Sequence, residues 1–255
     1  MKRKLLIFIG IVFISLYVEA QITVTPRNGQ NVQTIVENNF LGGGVTVSNV
    51  KFNGSTIVNS NQFGTFYNGS LTDPQPADTA APNVALRSGL VMVTGDVTDA
   101  GAGASSGIEG SVSSPNSSDQ TNILPLINVL TELGLGSEEK NDIAALSFDF
   151  ISIGDEISFR YVFASEEYPG YVCSSFNDAF GFFIDGPYDP VTGNKETNLP
   201  DSYKLTWKNI AIIPDSYPEQ AVTINTVNGG VPAGSASPCV LIHSFSEQIQ
   251  IIIVR

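Results

Sequence analysis

Apolar residues recur at two different spacings along the chain, and each spacing predicts a different kind of element. Positions three to four apart form one face of a helix, and glycine commonly follows the helix end. This spacing occurs at Val32, Ile35, Val36 and Phe40, before the glycines 42–44. We therefore predict a short packing helix within residues 32–41, and a second one within 126–133, where leucine and isoleucine repeat in the same way.

Alternation of apolar and polar residues, which is typical of half-buried strands, covers much of the remaining chain. It runs from Val45 to Phe52, where Asn53-Gly54 supplies a turn. It is strongest between residues 146 and 163, where aromatic residues alternate with serine and charged residues on both sides of Gly154-Asp155. We interpret this stretch as a β-hairpin with one aromatic core face. Further strands are predicted at 90–93, 180–184, 210–213 and 222–227.

The composition agrees with many short strands joined by turns. The chain has 24 glycines, only 15% charged residues, and abundant asparagine, serine and threonine among its valines, isoleucines and phenylalanines. Its length suits one large β domain or two small ones, and no break in composition argues for two. We expect an all-β fold, a β-sandwich or jelly-roll-like domain with one or two short packing helices.

The N-terminus has the layout of a signal peptide for export. Lys2, Arg3 and Lys4 precede an apolar run that ends at Val18, and Ala20 closes a cleavage context before Gln21. The apolar run is shorter than the roughly 20 residues that span a membrane. We expect residues 1–20 to be removed, a secreted or cell-surface location, and no stable membrane insertion after cleavage.

The charge balance limits the possible partners. The whole chain carries −13, and removal of residues 1–20 takes away three basic residues and one acidic residue, which leaves −15. A field of this sign repels phosphate backbones, so nucleic acid is not expected as a partner, whereas cations are attracted.

The two cysteines, Cys173 and Cys239, both follow the predicted signal peptide. Exported proteins reach oxidising compartments where disulfides persist. We predict one disulfide between them, which closes a loop of about 65 residues and stabilises the fold by roughly 4 kcal/mol if it is unstrained.

Oxygen-bearing side chains crowd the segment around Cys173. The group consists of Glu166, Glu167, Asn177, Asp178 and Asp185. Such hard oxygen ligands suit Ca²⁺, although ion pairs with Arg160, turn caps and simple solvated charges account for the same residues. The pairing of either glutamate with either aspartate would also suit a glycosidase, with Tyr168, Tyr171 and Trp207 as sugar platforms.

Two consecutive segments carry a resemblance to a known family. Residues 159–169 read FRYVFASEEYP, and residues 176–184 read FNDAFGFFI before Gly186-Pro187. With supporting segments between about 30 and 230, this order resembles the choice-of-anchor L domain of secreted and surface proteins in Gram-negative bacteria. The resemblance implies an extracellular domain of unestablished activity, so it assigns no catalytic or ligand residue.

The C-terminal region departs from the family pattern. We expect the family-like β domain to occupy 21–230 and residues 231–255 to form an atypical tail, from a truncated or frameshifted reading frame or as a genuine short form. The functional expectation is a non-enzymatic interaction or structural module that binds a surface glycan, a matrix component or a protein. The alternative is a secreted carbohydrate-active hydrolase that uses paired carboxylates.

Overall fold

The fold consists mainly of short antiparallel strands. The computed structural model describes residues 22–68, 86–100, 143–154, 156–163, 165, 172, 178–188, 192, 194–196, 205–213, 216, 219–227 and 249–254. The strands in these ranges are β1 (Thr23–Pro26), β2 (Val45–Phe52), β3 (Phe63–Tyr67), β4 (Ser88–Met92), β5 (Leu146–Ser152), β6 (Glu156–Tyr161), β7 (Ala179–Phe180), β8 (Phe183–Gly186), β9 (Leu205–Asn209), β10 (Val222–Thr223) and β11 (Ile249–Val254). The helices are α1 (Val32–Asn39) and α2 (Val97–Ala100). The predicted all-β class is confirmed.

Helix α1 forms where the helical spacing predicted it. Asn31 caps its N-terminus, because the side-chain oxygen accepts a hydrogen bond of 3.0 Å from the Thr34 N–H. The helix ends at Asn39, and the Phe40 N–H still bonds to the Val36 carbonyl at 2.9 Å. The buried face consists of Val32, Ile35 and Val36. This face packs in one cluster with Val50, Phe52, Val58 and Phe63.

The strands pair in several small sheets. Strands β1, β3 and β4 form a three-stranded antiparallel sheet in the order β1-β3-β4. Strand β2 ends at the predicted turn, where Asn53 and Gly54 have φ values of 47° and 79°. The remaining pairs are β2–β5, β6–β11, β7–β10 and β8–β9, all antiparallel. The strand predicted at 90–93 corresponds to β4, which spans Ser88–Met92.

The predicted hairpin between residues 146 and 163 is wrong in its pairing. Both strands exist, but β5 pairs with β2, from Val45↔Ser152 to Phe52↔Leu146. Strand β6 pairs with β11 instead, from Ile249↔Tyr161 to Val254↔Glu156. The turn at Gly154 therefore connects strands of two different sheets. Alternation identified the strands and their apolar faces, but it carries no information about their partners.

Aromatic side chains connect these two sheets. The Phe40 ring, just after α1, lies 6.2 Å from the Phe148 ring of β5 and 5.9 Å from the Phe159 ring of β6. Phe159 in turn contacts Phe182 at 4.5 Å. Each such pair adds about 0.5–1.5 kcal/mol beyond its buried area. The aromatic residues of β5 and β6 thus share one core through Phe40, although their strands do not share a ladder.

Two other strand predictions need correction. The predicted strand at 180–184 is divided into β7 and β8, and 222–227 is a strand only as far as Thr223, after which a turn begins. The 210–213 segment follows β9 and contributes only the single bridge Ile212↔Ala221. The β8–β9 ladder ends at Asn209 because the side chain of this residue competes for backbone hydrogen bonds. Its oxygen accepts from the N–H groups of Ala211 at 3.0 Å and Phe182 at 3.1 Å.

A buried glutamine joins several chain segments. Gln62 is 2% exposed, and its Oε1 accepts from Asn53 Nδ2 at 3.1 Å and from Ser60 Oγ at 3.3 Å. Its Nε2 donates to the carbonyl oxygens of Thr94 at 3.0 Å and Ile143 at 3.4 Å. The Asn53 side chain continues this network, since its Oδ1 accepts from the Ala145 N–H at 2.8 Å. One polar network therefore links the β2 turn to segments far away in the sequence.

Several predictions lie outside the described residues. These are the signal peptide at residues 1–20, the second helix at 126–133 and the disulfide partners Cys173 and Cys239. The division at residue 230 stays a prediction. Strand β11 lies in the predicted tail and pairs with β6 over six positions.

Candidate functional site

A compact polar cluster forms where strand β8 ends. We define the Asp185 cluster as Asp185, Tyr188 and Lys195. The Tyr188 hydroxyl donates a hydrogen bond to Asp185 Oδ2, and Lys195 Nζ lies 2.5 Å from Asp185 Oδ1. An isolated antiparallel bridge between Tyr188 and Lys195 folds the chain back and brings both side chains to the carboxylate. Lys195 Nζ is also 6.0 Å from the centre of the Tyr188 ring, at the outer limit of a cation–π contact.

The cluster fixes the protonation states of its members. Burial alone would raise the pKa of Asp185, but the hydrogen bonds from Lys195 and Tyr188, the Lys195 charge and the Gly186 N–H together hold that pKa below its usual value. The hydrogen bond to Asp185 raises the pKa of Tyr188, and burial and the charges of Asp185 and Asp149 act in the same direction. At neutral pH the carboxylate is therefore ionised and the phenol keeps its proton.

Strand β9, which pairs with β8, carries a tryptophan in a left-handed backbone conformation. Gly186 pairs with Leu205 and Ile184 with Lys208, so the register shifts between these pairs. Asp185 and Trp207 lie within this irregular stretch of the two strands. Trp207 has a φ of 47° and is 39% exposed. A left-handed conformation is unfavourable for a residue other than glycine, and β-bulges commonly redirect a side chain. The irregular ladder holds the only tryptophan of the chain at the surface.

A second irregular strand pair contributes another carboxylate. The β2–β5 register shifts between Ser48 and Lys51, and Asn49 within this shift has a φ of 54°. Asn49 Nδ2 donates to Asp149 Oδ2 at 2.6 Å. The charge of Asp149 is the smallest of the causes that raise the pKa of Tyr188, which indicates that Asp149 lies near the Asp185 cluster. We define the polar–aromatic surface as Asn49, Asp149, Asp185, Tyr188, Lys195 and Trp207.

The predicted calcium ligands are only partly described. Asp178 precedes β7, and its Oδ2 accepts a hydrogen bond of 2.9 Å from Ser165 Oγ. Asp185 lies on β8 and is bound to Lys195 and Tyr188. The other predicted ligands, Glu166, Glu167 and Asn177, lie outside the described residues. Within the described ranges no group of three or more histidine, cysteine, aspartate or glutamate side chains could hold a metal ion. Calcium binding stays a prediction.

Sequence reasoning missed most of the polar–aromatic surface. It identified Asp185 as a metal ligand and Trp207 as a sugar platform, but not Tyr188 and Lys195, which hold the Asp185 carboxylate. A local signal was available, because Gly186-Pro187 after a strand indicates a turn. A strand that returns after this turn would bring Lys195, ten positions later, back to Asp185. The Asn49–Asp149 contact spans 100 residues and had no local signal.

The fold and this surface define an all-β domain with a candidate binding surface. The chain matches the family of the choice-of-anchor L domain over residues 23–249 and belongs to that family. This match confirms the resemblance carried by residues 159–169 and 176–184. No curated protein and no solved structure matched the chain significantly. Family membership makes the chain a surface-associated bacterial protein.

The described residues contain no helix of the length and apolar character needed to cross a membrane.

Proposed function

We propose that the protein is exported and acts as a non-catalytic interaction module at the cell surface or in secreted form, in adhesion or surface binding. The single observation that supports binding is the polar–aromatic surface. There the exposed Tyr188 bonds to the Asp185 carboxylate, and Trp207 is exposed on β9, the strand that pairs with the strand of Asp185. Family membership supports the location. The proposed partner is a surface glycan, a matrix component or a protein, and the acidic charge disfavours nucleic acid.

The chemistry of Asp185 disfavours it as the proton donor of a hydrolase. A glycosidase needs one carboxyl with a raised pKa that donates a proton to the leaving group. The pKa of Asp185 is lowered, which disfavours it as this proton donor, and Lys195 and Tyr188 each bond to one of its oxygens. The other described carboxylate of the hydrolase alternative, Asp178, is engaged by Ser165. These contacts fit carboxylates that shape a surface rather than transfer protons.

Calcium binding is part of the same proposal. Asp178 would supply one ligand oxygen together with Glu166, Glu167 and Asn177, with Asp185 as a fifth member. Bound metal raises stability by an amount that grows with ligand concentration over the dissociation constant. We expect the melting temperature to rise with millimolar Ca²⁺ relative to chelator, and Glu167→Gln to abolish the rise. The control Asp201→Asn should preserve it. An unchanged melting temperature in the parent protein would reject the site.

The binding function is tested with the protein purified from the medium or cell envelope of the organism that produces it. Labelled protein is incubated with intact cells, and bound protein is measured against concentration. Saturable binding, competed by unlabelled protein, is expected. Binding that rises linearly without saturation would contradict a specific surface module. Protein heated to lose its structure provides the control for nonspecific adsorption.

A further inference from the structure

Two exposed aromatic rings belong to one strand pair and its extension. Tyr188 is 49% exposed and Trp207 is 39% exposed, although both are large amphipathic residues that favour burial. A sugar ring presents C–H groups on its faces and hydroxyl groups around its edge. Exposed aromatic rings can cover the C–H groups of the sugar, while neighbouring polar side chains bond to its hydroxyl groups. The two residues therefore have the exposure that a sugar-binding surface requires.

The backbone around this surface is strained at two places. Asn49 and Trp207 have φ values of 54° and 47°, and each lies where the register of its strand pair shifts. Such conformations reduce stability and occur preferentially at binding and active sites. Here one strained residue places an amide against Asp149, and the other places an indole at the surface. Both distortions therefore supply groups to the same polar–aromatic surface.

The polar groups are arranged as fixed hydrogen-bonding partners for hydroxyl groups. The Asp185 carboxylate is 12% exposed and is oriented by Lys195 and Tyr188, while Asp149 is oriented by Asn49. A carboxylate has about four lone-pair positions, so each one keeps acceptor capacity after these contacts. Carboxylates accept from ligand hydroxyls, and the asparagine amide adds both a donor and an acceptor. Their prior orientation reduces the entropy lost on binding.

The charges select against anionic ligands. Asp149 and Asp185 contribute two carboxylates, Lys195 is paired with Asp185, and the exposed lysines Lys51 and Lys208 lie on the adjoining strands β2 and β9. The whole chain carries −13. An acidic polysaccharide would meet repulsion from the overall field of the chain. Building on the binding function proposed above, we infer that the polar–aromatic surface binds an uncharged polysaccharide, with Tyr188 and Trp207 as stacking rings and Asp149 and Asp185 as hydroxyl acceptors.

The test measures retardation of the purified protein in native gels that contain a soluble polysaccharide. The neutral probes are dextran, mannan and galactan, and alginate is the anionic probe. We expect at least one neutral probe to retard the protein and alginate to leave it unaffected. Tyr188→Ala and Trp207→Ala should each weaken binding at least tenfold, whereas Trp207→Phe should retain most of it. The matched control is Tyr67→Ala, because Tyr67 on β3 is also 49% exposed.

Each outcome decides between the inference and the broader function. Retardation that survives both alanine substitutions would place the sugar elsewhere and overturn the inference. Retardation by alginate alone would overturn the inference that the polysaccharide is uncharged. Saturable binding to cells without any binding to the neutral probes would overturn the inference and leave the interaction function standing. Absence of binding to cells would reject the interaction function itself. Circular dichroism melts of every variant separate loss of binding from loss of fold.

Discussion

The buried Gln62 network offers a demanding test of the fold. Gln62 has two acceptor contacts from Asn53 and Ser60 and two donor contacts to the carbonyls of Thr94 and Ile143, at 3.0–3.4 Å. Gln62→Leu keeps a similar volume but leaves these partners without their hydrogen bonds. Each buried group left unsatisfied costs about 1–3 kcal/mol, and the added apolar surface offsets part of the loss. We expect a net loss of about 3 kcal/mol.

A loss of that size is measurable by urea denaturation followed by circular dichroism. The midpoint should fall at an unchanged m value, and the melting temperature should fall by roughly 6–12 °C for a chain of this size. The control is Gln33→Leu, since Gln33 makes an exposed hydrogen bond to Glu37 within α1. That change should stay within about 0.5 kcal/mol. A Gln62→Leu loss below about 1 kcal/mol would refute the role of the network.

The Gln62→Glu variant tests the same network through the pH dependence of its stability, because the direction of that dependence can be predicted. The acidic side chain keeps an acceptor for Asn53 but directs an oxygen, instead of a donor, towards the carbonyls of Thr94 and Ile143. Burial should raise the pKa of this glutamate above its unfolded value. The variant should therefore be less stable than the parent at pH 7, and the difference should shrink as the pH falls and the carboxyl is protonated. A difference independent of pH would contradict the geometry.

The remaining predictions concern other sites. Burial raises the pKa of Tyr161 to about 12, and its hydroxyl oxygen has no hydrogen-bond partner in the described structure, so Tyr161→Phe should leave stability unchanged or raise it by about 1 kcal/mol in urea denaturation. A loss of stability above about 1 kcal/mol would indicate that the Tyr161 hydroxyl has a hydrogen-bond partner. Burial would raise the pKa of Asp96, but hydrogen bonds from Thr98 and Asn61 outweigh it and lower the pKa, so Asp96→Ala should cost about 1 kcal/mol above pH 3.8, with less effect as the pH falls through the lowered value. A loss of stability in Asp96→Ala that does not change with pH would argue against a contribution from the ionised Asp96 carboxylate. Non-reducing mass spectrometry should find Cys173 and Cys239 linked in the exported protein, and two free thiols would exclude the bond.

The local elements could be predicted from sequence because their signals are local. The spacing of Val32, Ile35 and Val36 predicted α1, and the alternation that ends at Phe52 predicted β2 and its turn. These patterns depend on side-chain periodicity within one segment.

Pairing could not be predicted in the same way. Strand β5 follows β2 by about a hundred residues, and its alternation suits any partner that offers an apolar face. The role of Gln62 was equally inaccessible, because a lone glutamine carries no sign that groups from Asn53, Ser60, Thr94 and Ile143 converge on it. At the polar–aromatic surface, Asp185 and Trp207 were identified individually, but their relation depends on the β8–β9 register. The fold class is therefore more predictable than the site.

Export is tested by the location and the mature N-terminus of the native protein. Cells are separated into cytosolic, envelope and extracellular fractions, intact cells are labelled with an impermeant reagent, and the recovered protein is sequenced from its N-terminus. We expect labelled or released protein that begins at Gln21, after loss of residues 1–20. Unlabelled protein that retains Met1 in the cytosol would contradict export, and with it the proposed role at the surface.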